Sequence, residues 1–275
     1  MRFELKPLSF GEVLDGAFKI FRANLRTFLT IALVFNFPSL LLSSWLRVAQ
    51  QATPGKLPPG YALASIPVAC IAILLWGTMI AAAVQVIAGE PTSLGKAWAR
   101  FRAILGPAVK ASFLVVFIGA LWSLLLIIPG VIYFLRRALY MPALLIEGGT
   151  ATASIERSKT LVGKGRKGRM DRVFGASFVF GVLSWVLIWG IGLVIPAGLK
   201  VTFVGVAVTL IPQVLLAPLL PIALVLIYFD ARIRDEGYDL ELRAKEVGAA
   251  PTVAREAGIA GSGAGSGVGP AAGPA

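Results

Sequence analysis

Residues 61–89 read YALASIPVACIAILLWGTMIAAAVQVIAG, a stretch with no charged side chain in it. It exceeds the roughly 20 residues an α-helix needs to cross a hydrocarbon layer about 30 Å thick. In that layer the backbone must satisfy its own polar groups, which a helix does and an open strand does not. Five further apolar runs lie around it, at about 27–46, 107–128, 131–146, 173–196 and 201–229. A hydrophobic content of 57% and a mean hydropathy of +0.82 are too high for a soluble chain of 275 residues. The expected fold is all-α: a polytopic membrane helical bundle of about six transmembrane helices, with amphipathic helices lying in the cytoplasmic interface.

Two regions follow from composition. Residues 1–246 form the membrane domain. Residues 247–275, ending GSGAGSGVGPAAGPA, are rich in Gly, Ala and Pro, lack apolar mass to bury, and are expected to be a disordered tail. The first 26 residues hold no continuous apolar core of a secretory signal, so insertion is expected to use the first transmembrane helix itself.

The net charge of +12 is distributed unevenly. With the N-terminus in the cytoplasm and six crossings, 21 Lys and Arg fall on the inner side and three, Arg47, Lys56 and Lys200, on the outer. This asymmetry predicts a multi-pass protein of the inner (cytoplasmic) membrane with both termini cytoplasmic. It also makes anionic lipid headgroups, rather than nucleic acid, the expected partner of the basic residues. Lys164, Arg166, Lys167, Arg169 and Arg172 form the densest basic run and are the expected lipid-surface residues.

Three segments share a plan of one amphipathic stretch followed by a pair of apolar runs. In the first, residues 9–26, Phe10, Val13, Leu14, Ala17, Phe18 and Phe21 recur at helical spacing opposite Glu12, Asp15, Lys19 and Arg22. Ser9 is a natural N-cap. The second opens at Ser93 in the same way, Ser93-Leu94-Gly95 matching Ser9-Phe10-Gly11. The third, from Thr152, is sparser. Such helices are too charged to span and are expected to lie with the apolar face in lipid; the alternative is packing against the bundle.

Chemistry-bearing residues are few. The chain has no histidine and one cysteine, Cys70, so it lacks the commonest metal ligand and general base, and no metal or cofactor is expected. Arg136 and Arg137 are the anomaly. With a hairpin turn at Pro129-Gly130 they lie about 9–10 Å along the fourth helix, inside hydrocarbon. One arginine at a span centre costs roughly 2.5–3.5 kcal/mol. Tyr133, Arg137, Tyr140 and Glu147 fall near one helical face, so Arg136, Arg137, Tyr133, Tyr140 and Glu147 are the candidate ligand-binding set, lining a cleft for an anionic group. Snorkelling or an internal ion pair would also account for the arginines.

The segments PLSFGEVLDGAFKIFRANLRTFL, ALYMPALLIEGGTATASIERSKTLV and IYFDARIRDEGYDLELRA together resemble one bacterial family, the glycerophosphoryl diester phosphodiesterase membrane-domain family. Its specific parts here are Gly11-Glu12 with Asp15-Gly16, Glu147-Gly148 with Arg157-Ser158, and Asp230-x-Arg232-x-Arg234-x-Glu236-Gly237. The resemblance covers residues 7–243 and implies a stand-alone integral membrane module. It does not imply phosphodiesterase activity, because the soluble catalytic domain of such fusions relies on histidines and a carboxylate cluster. The expected function is a non-enzymatic membrane module engaging lipid and partner proteins. The competing expectation is a small transporter or lipid-handling protein with a polar cleft near Arg136 and Arg137; a membrane-bound phosphodiesterase ranks third.

Overall fold

The computed structural model describes residues 8–53, 55–163, 168–195 and 203–236, and every regular element among them is an α-helix. Met1–Asp235 form one compact unit. The second, Glu236–Ala275, lies outside the described residues apart from Glu236, and with it the expected tail at 247–275. The helices are α1 (Phe10–Ala23), α2 (Leu25–Ala52), α3 (Tyr61–Ile87), α4 (Leu94–Arg102), α5 (Leu105–Leu125), α6 (Ile127–Arg137), α7 (Tyr140–Glu147), α8 (Ala151–Gly163), α9 (Gly168–Val194), α10 (Phe203–Leu216) and α11 (Leu219–Glu236).

Among the described residues, six helical stretches are long and apolar enough to cross a membrane: Leu25–Gln50, Tyr61–Ile87, Leu105–Leu125, Ile127–Glu147, Arg169–Val194 and Ile211–Asp235. Large apolar side chains stand exposed along them, among them Leu33, Phe37, Leu41, Phe113, Phe117, Trp185 and Trp189. A soluble bundle would bury such a belt; here it is the surface that lipid covers. The chain is a multi-pass membrane helical bundle.

Three boundaries differ from the sequence reading, each for a local reason. The junction between α1 and α2 is Asn24, whose amide donates to Ile20 O and Phe21 O at 3.2 Å and ends the first helix. The hairpin between α5 and α6 turns at Leu126, in extended backbone, not at Pro129-Gly130. Pro129 sits instead in the first turn of α6, where a missing N–H costs nothing. Gly130 lets the two helices touch: a Cβ there would come within 2.6 Å of Ser123 Cα. The last apolar run is two helices, broken at Ala217 and Pro218, since proline cannot continue the hydrogen-bond ladder.

The short helices α1, α4 and α8 repeat one another closely. Their N-caps are Ser9, Ser93 and Thr150, each accepting from the amide three residues on: Glu12 at 3.3 Å, Lys96 at 3.4 Å and Ala153 at 3.2 Å. Four and eight residues past the cap, all three bury the side chain: Val13 and Ala17, Ala97 and Phe101, Ser154 and Ser158. These residues are covered by protein, so the apolar stripe expected to lie in lipid packs largely on the bundle. Helix α4 folds back along α3, with Phe101 against Gly77 and Gln85 Nε2 donating to Lys96 O at 3.3 Å. Helix α8 folds back along α7 through Gly148 and Gly149, whose φ angles of +73° and +94° suit glycine. The core is the second half of α3, α7 from Tyr140 to Leu145, and most of α11. Their apolar character on every side is that of helices buried all round.

Candidate functional site: an ion-paired junction on the last helix

The end of α11 reads Tyr228-Phe229-Asp230-Ala231-Arg232-Ile233-Arg234-Asp235. Helical spacing sorts its polar residues onto two faces. Tyr228, Arg232 and Asp235, at steps of four and three, share one. Asp230 and Arg234, four apart, share the other.

The first face meets α7, α8 and α9. The Tyr228 hydroxyl donates to Glu147 Oε1 at 2.6 Å, and Arg232 Nε stands 3.8 Å from the same oxygen. Glu147 also accepts from Arg157 Nε of α8, at 2.9 and 2.8 Å. Asp235 takes a two-pronged contact from the Arg169 guanidinium, which also donates to Leu161 O at 2.7 Å. The second face meets α9 and the segment before α1. Asp230, only 1% exposed, accepts from the Leu8 amide at 2.7 Å, from Arg234 Nε at 2.8 Å, and from Arg172. Arg234 Nη2 completes the loop by donating to Leu8 O at 2.8 Å. A carboxylate buried this deeply is tolerable only because cations and an amide satisfy its oxygens. The junction ties the start of the described chain to its last helix.

A second polar feature repairs the break between α6 and α7 at Ala138 and Leu139. Ser158 of α8, fully buried, accepts from the Leu139 amide at 3.0 Å and donates to Arg136 O at 3.1 Å. It supplies the two bonds that the interrupted helix cannot make for itself.

The residues singled out from the sequence are dispersed by this arrangement. Arg137 lies over the Tyr133 ring, Cζ 3.7 Å from the centroid, a cation–π contact. Its Nε is buried without a hydrogen-bond partner. Arg136, one residue earlier and 100° round the helix, is exposed. Tyr140 bonds Ser112 Oγ at 2.9 Å across to α5. Glu147 belongs to the α11 junction. Arg136, Arg137, Tyr133, Tyr140 and Glu147, expected to line one cleft, take separate partners, and the break at Ala138 and Leu139 interrupts the helical face they were expected to share.

The lipid-surface set is also revised. Arg169 is 7% exposed and Arg172 faces Asp230, so both are internal partners rather than a surface. Lys164, Arg166 and Lys167 lie outside the described residues. Sequence reasoning missed Tyr228, Asp235 and Ser158 as partners. One signal was available: Glu90 and Glu147 each precede an N-cap by three residues, and Arg100 and Arg157 each follow it by seven. Both pairs close, at 3.3 and 2.8 Å.

Two apolar grooves of about 310 Å³ each lie among the described residues. One, between α2 and α10, is walled by Leu29, Leu33, Phe37 and Ile211 with Asn36; the other lies between α6 and α9. Arg136 and Arg137 line neither. Among the described residues, no group of three His, Cys, Asp or Glu side chains is placed to hold a metal ion. No family model matches the chain, and no curated protein or solved structure shows significant similarity to it. The geometry of the junction and of the exposed belt is the basis for a functional reading.

Proposed function

We propose that the chain is a non-enzymatic integral module of a bacterial inner membrane, both termini cytoplasmic, that binds anionic lipid and docks partner proteins at its basic end. The carrying observation is the junction on α11. Its carboxylates Glu147, Asp230 and Asp235 are each bonded to side chains or backbone from other helices, an arrangement that fastens helices together. The excess of Lys and Arg in the same segments supplies the charge for an anionic leaflet. The resemblance to the glycerophosphoryl diester phosphodiesterase membrane-domain family supports the same reading. Two of its most specific elements, Glu147-Gly148 with Arg157-Ser158 and the Asp230 to Glu236 run, contain the three junction carboxylates and the junction residues Arg157, Arg232 and Arg234.

Native mass spectrometry of protein released from bilayers of mixed phospholipids tests this. Anionic lipids should stay bound preferentially; equal retention of zwitterionic lipids would overturn the lipid-binding half of the proposal. One observation favours a second reading, a small lipid-handling protein: the Arg137 guanidinium, stacked on Tyr133, has a buried Nε without a partner. Loss of bound lipid on Arg137→Ala, without loss of stability, would favour it.

A further inference from the structure

Length and composition alone allow Leu105–Leu125 and Ile127–Glu147 to be two full crossings. Three placements argue against it. Ile127, Ile128, Val131, Ile132 and Leu135 of α6 wall one groove together with Met170, Asp171 and Phe174 of α9. Those first turns of α9 are locked to the end of α11 by Arg169 with Asp235 and Arg172 with Asp230. At the other end of the same segment, Glu147 touches Tyr228 and Arg232 of that same stretch of α11. A straight helix would separate Ile127 from Glu147 by about 30 Å at 1.5 Å per residue. Here Ile127 shares a groove with Met170, Asp171 and Phe174, and Glu147 touches Tyr228 and Arg232, on two stretches that the Arg169–Asp235 and Arg172–Asp230 pairs hold together. A crossing hairpin would carry its tip to the far end of α9, a helix about 39 Å long by the same rise.

We infer that the α5–α6 hairpin does not cross the membrane but enters one leaflet from the face bearing the basic α8–α9 connection, with lipid acyl chains as the occupant of its tip. This rests on the membrane reading above. The tip is Leu124-Leu125-Leu126-Ile127-Ile128, between 60% and 86% exposed, the most bare apolar run among the described residues of this hairpin. Ten residues behind it, about 15 Å along α6, stands the exposed Arg136. Half a hydrocarbon layer is about that deep, so α5, whose 21 residues span about 30 Å at the same rise, must lie strongly tilted to reach the same tip. An apolar tip followed at this distance by a guanidinium matches acyl chains followed by an anionic headgroup. The arginines that are costly in the middle of a full span come to lie at a headgroup boundary.

The test uses the full chain with Cys70→Ser as background, reconstituted in sealed vesicles and probed with a membrane-impermeant maleimide from either side. Lys56→Cys and Gly95→Cys report the two faces and should label from opposite sides. Leu126→Cys, with Ile128→Cys as a second site, should label from neither side until detergent is added. A nitroxide at either position should be reached by oxygen and shielded from a water-soluble nickel chelate. Labelling of Leu126→Cys from the side that labels Lys56→Cys would overturn the inference, since the hairpin would then cross. Labelling from the Gly95→Cys side would overturn it too, the tip being in water. Disulfide-linked dimers through position 126 would show that a second copy, not lipid, covers the tip. If Lys56→Cys and Gly95→Cys label from the same side, the membrane topology itself fails, separately from the hairpin.

Discussion

Replacing Asp230 by alanine should destabilise this protein more than any other single change at the junction. Asp230 is 1% exposed and serves three donors: the Leu8 amide, Arg234 Nε and Arg172. Removing one partner of a buried pair leaves the other charge uncompensated, at about 3–5 kcal/mol. Arg234 is 36% exposed, so water screens its share, which falls to about 0–1 kcal/mol. Arg172, at 22%, and the Leu8 amide carry most of the loss. The expected total is about 3–5 kcal/mol. Arg100→Ala is the control. Its pair with Glu90 is 3.3 Å long with side chains 32% and 54% exposed, and its loss should cost under about 1 kcal/mol. The assay is unfolding in mixed micelles by titration with a denaturing detergent, followed by helicity. The double variant Asp230→Ala with Arg172→Ala should cost clearly less than the sum of the two singles. If Asp230→Ala is no more harmful than Arg100→Ala, the junction does not hold the fold together and the reasoning fails.

Ser158→Ala should cost about 1–3 kcal/mol in the same titration, because the Leu139 amide then stays buried without an acceptor; a neutral result would show that the break closes by another route. Tyr228→Phe removes a hydrogen bond to a carboxylate and should cost about 1.5–3 kcal/mol, read as a shifted midpoint with unchanged helicity. Gly77→Ala drives a methyl into the buried Phe101 ring and should cost about 1–3 kcal/mol, whereas Gly95→Ala, with open space around it, should be silent.

Much of the architecture was legible because hydrophobic periodicity and length are local properties. The run at 61–89 read as a span and is helical from Tyr61 to Ile87. The Ser9 and Ser93 caps were visible for the same reason: a hydroxyl followed by a helical apolar stripe is a local pattern. The turn at Leu126 was not, since nothing in Leu124–Ile128 breaks a helix by composition. The nearby Pro129-Gly130 drew attention to itself but sits inside the helix. The junction was least legible. Asp230 meets Leu8 across 222 positions of chain, and Asp235 meets Arg169 across 66. Sequence spacing placed Glu147 on a face with Tyr133 and Tyr140, which holds only while the helix runs unbroken. The pairing that does form, Glu147 with Arg157, lies across a turn that helical periodicity does not anticipate.

The central claim is that the bundle is closed on α11 by Asp230, which holds the segment before α1 through the Leu8 amide and the first turns of α9 through Arg172. Hydrogen–deuterium exchange of the protein in lipid nanodiscs, with and without Asp230→Ala, measures this directly. The account predicts slow exchange in α1, α4 and α8 of the unmodified chain, and a rise on substitution confined to α1 and the first turns of α9, with α4 unchanged. Fast exchange in α1 before substitution, or protection of α1 that survives the loss of Asp230, would contradict it.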